Sequence, residues 1–123
     1  MKTFDIIIPE GPITIVAGRN AQENFDLIDE YQSYARKFPA CNITWFHLDA
    51  FPSGHIIMKC PPGVIPTSEH IRIAAEYTKN NTKHKNRPSV NVVYTNILNI
   101  KKEETVGSVS FIRRKKTHKI IVN

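Results

Sequence analysis

The stretch from Gly18 to Pro39 constrains this chain more than any other, because the apolar period switches there from two to 3.6 within three residues. Before it, residues 4–8 (FDIII) and 12–17 (PITIVA) are short and β-branched. Pro9, Glu10 and Gly11 separate them, which reads as an opening hairpin. After it, Asn20 is a good N-cap, and Glu23 three residues on completes a capping-box-like pattern. Leu27, Ile28, Tyr31, Tyr34, Ala35 and Phe38 follow at helical spacing until Pro39 stops the run. The spacing predicts a helix over 21–37. A strand pair feeding directly into an amphipathic helix commits the chain to a mixed architecture.

The remainder extends that reading. Residues 43–49 (ITWFHLD) are apolar on both parities, as in a strand covered on both faces, with Phe46 and Leu48 opposite Trp45 and His47. Pro52, Ser53 and Gly54 turn the chain into 55–59 (HIIMK). Thr67 or Ser68 caps a second helix with Ile71, Ala74, Ala75 and Thr78 on one stripe, and the polar, basic run 79–88 reads as an exposed loop. Val90, Val92 and Tyr94 alternate in the next strand. Val109 and Phe111 lead a further one toward Arg113, Arg114, Lys115 and Lys116, and 119–122 is the last. The basic run is thereby expected in a hairpin turn. The order ββαββαβββ predicts an α+β fold, a mainly antiparallel sheet of about six to seven strands with two helices. At 123 residues and 41% hydrophobic, the chain suits one domain over 1–123 with one core.

Charge narrows the function classes. Residues 79–119 hold 11 Lys and Arg against two acids, net +9, while the rest of the chain is net −3. A one-sided positive field points to nucleic acid, or else to a solvated basic surface. No run approaches the ~18 apolar residues of a membrane span, and the N-terminus carries no export-signal pattern. Cys41 and Cys60 are too few for a disulfide framework and form no CxxC. Two structural thiols in a reducing, cytoplasmic setting are expected.

Three groups of residues carry candidate chemistry. Gly18, Arg19 and Asn20 sit where a strand enters a helix, and a helix N-terminus beside an arginine fork suits phosphate, though a plain turn and cap fits equally. Trp45, His47, Asp49 and His55 invite a catalytic or zinc reading with Cys41 or Cys60 added. Their spacing matches no closed zinc motif, however, and no nucleophile accompanies the acid–histidine pair. Lys101 and Lys102 with Arg113, Arg114, Lys115 and Lys116, all at strand ends, form a basic rim that tracks phosphates. Tyr94 and Phe111 are aromatic candidates for stacking bases, but their parities face the core.

The strings GRNAQEN at 18–24, WFHLD at 45–49, SGHIIMK at 53–59, NVVYTNILNIKK at 91–102 and VGSVSFIRRKK at 106–116 resemble, in order and nearly end to end, the NFACT-R domain family. The NVNVVYT strand is most similar to the stand-alone eukaryotic version found in coiled-coil-domain-containing proteins. The resemblance implies an RNA-binding module of ribosome quality control that meets the large ribosomal subunit and its peptidyl-tRNA, with no reaction of its own. It places Gly18, Arg19, Asn20 and Asn24 in the family's opening motif, and Trp45, His47, Ser53 and His55 in its central hairpin. The NFACT domain, helix-hairpin-helix region and long coiled coils of multidomain members have no counterpart in this sequence, nor has the charged C-terminal helix of the stand-alone relatives. Tailing of nascent chains is therefore not expected of it.

The sequence thus predicts a non-catalytic module, with no cofactor and no metal, that binds tRNA or ribosomal RNA through Arg19, Asn20, Asn24, Lys101, Lys102, Arg113, Arg114, Lys115 and Lys116. Six phosphate contacts give a slope of log affinity against log salt of roughly −4 to −5. DNA stays open as a partner, since phosphates alone do not separate the two nucleic acids. The alternatives are a protein-interaction adaptor with a basic face, and an RNA-processing enzyme using His47, Asp49 and His55.

Overall fold

The computed structural model describes all residues, 1–123. Its strands are β1 (Lys2–Ile6), β2 (Ile13–Ala17), β3 (Ile43–Leu48), β4 (Ile56–Lys59), β5 (Val90–Asn96), β6 (Ile100–Lys102), β7 (Val109–Phe111) and β8 (His118–Val122). Six make one sheet in the order β1-β2-β4-β3-β5-β8, antiparallel at every pairing, and β6 and β7 make a separate small hairpin. Two helices, α1 (Ala21–Lys37) and α2 (Ser68–Asn80), complete an α+β fold.

The strands that are apolar on both parities explain the layering. On one face, Val16, Ile43, Trp45, Ile57 and Val93 pack with Leu27, Ile28, Tyr31 and Ala35 of α1. On the other, Ile15, Phe46, Leu48, Met58 and Val92 pack with Ala74 and Ala75 of α2. The small hairpin shares the α1 face, where Val109 and Phe111 pack against that cluster.

Local signals fixed the helices. Asn20 caps α1 by accepting from the Glu23 N–H, and the Phe38 N–H closes the far end on the Tyr34 carbonyl. Thr67 caps α2 in a capping box completed by the His70 ring. Three expectations need correction. Residues 113–116 do not turn a hairpin: β7 pairs with β6 and β8 pairs with β5, so this segment crosses from the small hairpin to the edge of the main sheet. The three-residue strand β6 was missed because IKK is too short to show a period. Finally, α2 runs on to Asn80 with Lys79 buried, and His84 stacks on Phe51 at 4.2 Å, so the 79–88 run is partly folded onto the body.

Candidate nucleic-acid interface

The family-motif residues converge at one end of the sheet, on the α1 face. The Gly18 N–H donates to the His55 carbonyl (3.0 Å), and the His55 N–H donates to Asn24 Oδ1 (3.0 Å). This lock leaves no room for side chains at two glycines. A Cβ on Gly18 would meet Asn24 Oδ1 at 2.2 Å, and one on Gly54 would meet the Gly18 carbonyl oxygen at 2.5 Å. The Ser53 hydroxyl accepts the Leu48 N–H (3.0 Å) and so shapes the β3–β4 loop. Trp45 stacks on His47 with centroids 5.7 Å apart, and the edges of His55 and Phe111 close around it at 5.3 and 5.7 Å.

The charge at this end is already met. Arg19 grips Glu23 through Nε and Nη2, the closest contact being 2.7 Å, and the N-terminal ammonium adds a second cation 3.2 Å from the same carboxylate. The Arg19 hydrogen bonds pull the Glu23 carboxyl down to about 2. A shallow groove of about 450 Å³ runs here from Arg19 and Asn20 past His47 to Gly107, and Arg19 is the one Lys or Arg lining it. Burial pushes the His55 imidazole down to about 4, aided by the nearby His47, and burial lowers His47 as well. Both rings are held neutral. His47 Nδ1 faces the Leu48 carbonyl, which only accepts, so Nδ1 carries the proton. Asp49 pairs with Lys119 at 3.0 Å. No three His, Cys, Asp or Glu gather as a metal site, and the Cys60 thiol is pushed up to about 11 by burial and by Cys41.

The opposite end of the sheet carries the basic turn. Arg114–Lys116 form one turn of 3-10 helix, exposed throughout. Two buried residues pin it. Asn99 Nδ2 donates to the Arg113 carbonyl (3.0 Å) and to Thr95 Oγ1 (3.0 Å), while Asn99 Oδ1 accepts the Arg113 N–H (2.8 Å). The Thr95 hydroxyl donates to the Lys116 carbonyl (2.9 Å). None of Arg113, Arg114, Lys115 and Lys116 meets an acid. Of the pair in β6, Lys101 is exposed and unpaired, whereas Lys102 bridges to Asp29 of α1 at 2.7 Å and lies over the Phe25 ring.

The nine candidate RNA-contacting residues therefore do not form one surface. Arg19, Asn20 and Asn24 sit at the motif end, with Asn20 spent on the helix cap and Asn24 buried in the lock with His55. Lys101, Arg113, Arg114, Lys115 and Lys116 make a set of uncompensated cations toward the other end. Sequence reading missed Thr95 and Asn99, which hold the turn. Asn99 reaches Arg113 across 14 positions, and no local pattern announces such a bond.

The chain spans about half the length of the relatives it matches. It is 28% identical over 125 residues to coiled-coil domain-containing protein 25 of Danio rerio, covering 97% of this chain and 56% of that protein. The solved C-terminal part of the fibronectin/fibrinogen-binding protein from Streptococcus suis shares the fold at a TM-score of 0.74 and 20% identity, over 99% of this chain and 45% of that one. Residues 3–113 match the family described as the NFACT protein RNA binding domain. That match takes in both the locked motif end and the start of the basic turn, and the chain belongs to this RNA-binding domain family.

Proposed function

We propose that the chain is a non-catalytic module that holds structured RNA, transfer or ribosomal, in the cytoplasm within translation or ribosome quality control. One observation carries the reading: four consecutive exposed cations, Arg113, Arg114, Lys115 and Lys116, stand on a turn fixed by buried Asn99 and Thr95 and face no acid. Holding unpaired cations together costs self-repulsion, which the phosphates of a polyanion neutralise while their condensed counterions are released. Lys101, also exposed and unpaired, adds a fifth contact, and five phosphate contacts give a salt slope of about −3.5 to −4.5. The partners carried over from the family, the large ribosomal subunit and its tRNA, belong to this proposal, and DNA would meet the same charges. The non-catalytic reading is supported by Asp49, which pairs with Lys119 and so is not free to orient a histidine.

RNA crosslinked to the chain in cells tests the proposal, with the variant Arg113→Glu/Arg114→Glu alongside. Transfer or ribosomal RNA enriched on the parent and reduced on the variant is the expected result. Capture no better than background overturns it and moves the basic face to an acidic protein partner.

A further inference from the structure

Phe46, Tyr94 and His118 stand in register on the adjacent strands β3, β5 and β8, each ring 5.4 Å from the next. Burial falls along the row. Phe46 is fully buried, Tyr94 is half-buried, and His118 is exposed on the edge strand. Strand parity pointed Tyr94 to the core, and Tyr94 does pack on Phe46, but the row continues past it into solvent. It ends in a cleft of about 370 Å³ that Tyr94 and His118 line together with Thr44, Asn96, Lys115 and Lys116. Both lysines belong to the pinned turn and are unpaired. Asn96 Oδ1 already accepts the Leu98 N–H, which leaves its Nδ2 donors available.

An aromatic row open at one end, polar side chains beside it and two cations at the margin together match one ligand chemistry. A flat base extends the row, its edge meets the amide and hydroxyl, and its flanking phosphates meet the lysines. The volume lies within the range of small-ligand pockets. Bases inside a duplex are already stacked and paired, so only an unpaired one can enter. We propose that this cleft takes an unpaired base of single-stranded RNA, stacked on the Tyr94–His118 row with neighbouring phosphates on Lys115 and Lys116. The proposal rests on the RNA-binding reading and adds to it which RNA conformation the basic turn selects. In a structured RNA, such bases lie in loops and at ends.

Anisotropy of a short labelled oligouridylate and of a fully paired RNA duplex, titrated with the full chain, decides the matter. His118 is exposed, so its variants fold as the parent does. His118→Ala is expected to weaken oligouridylate binding about tenfold and to leave duplex binding unchanged. His118→Phe, which keeps the ring and loses the nitrogens, should bind oligouridylate as the parent does. Oligouridylate binding indifferent to His118→Ala, or as weak in His118→Phe as in His118→Ala, overturns the cleft and leaves RNA binding standing. A parent chain that binds neither RNA overturns the RNA reading and the cleft with it.

Discussion

At the β3–β4 loop end of the sheet, Arg19 faces Glu23, Asn24 is spent on the His55 backbone, and His47 and His55 are packed neutral around Trp45. At the other end, Arg113, Arg114, Lys115 and Lys116 face no acid, and the polar side chains beneath them, Asn99 and Thr95, hold the backbone in place. One end turns its polar groups inward on each other, and the other holds them out. The densest motif in the sequence therefore builds the fold, and the plainer basic run carries charge that no acid in the fold meets. A string such as GRNAQEN takes its form from sterics: glycine where a Cβ would strike the Asn24 amide, asparagine as cap, and asparagine as partner to a buried N–H.

The predictions probe that division from the largest effect down. Trp45→Ala at the motif end should cost about 3–5 kcal/mol by denaturant unfolding, the range for a buried aromatic replaced by a methyl. RNA affinity of the folded fraction should not change. A pH series sharpens the same contrast. The unfolded chain protonates histidine near its ordinary 6.5, but the folded state refuses the proton at His55 until about 4. Stability present above 6.5 is therefore lost as pH falls from about 6.5 to about 4, by about 3 kcal/mol. His55→Gln should flatten that limb of the curve; an unchanged slope would mean that His55 is not held neutral. Next in size, Asn24→Leu strands the His55 N–H and should cost about 1–3 kcal/mol. The smallest effect belongs to Arg19→Ala, which should leave RNA affinity within about twofold of the parent, because Glu23 already meets that charge at an exposed site. A large loss there would break the comparison, since Arg19 would then have released Glu23 to bind phosphate.

The parts legible in the sequence are those with short-range causes. Asn20, Pro39 and the 3.6 period placed α1 at 21–37, and the double parity of 43–49 placed a strand between two layers, because each signal acts within a few residues. The parts that were hidden depend on distance along the chain. Nothing near Arg113 tells that Asn99 holds it, or that β8 leaves β7 to pair with β5. The pairing of Lys102 with Asp29 spans 73 positions and removes a cation that composition counts as free. Charge totals were readable, then, but which charges stay available was decided by tertiary neighbours.

The salt dependence of RNA affinity tests the central claim most directly, measured on the parent, Arg113→Glu/Arg114→Glu and Arg19→Ala. Phosphate contacts by Lys101, Arg113, Arg114, Lys115 and Lys116 predict a slope of about −3.5 to −4.5 for the parent and for Arg19→Ala, falling to about −2 to −3 in the double variant. A double variant that keeps the parent slope, with Arg19→Ala losing it, would contradict the account and move the RNA to the motif end.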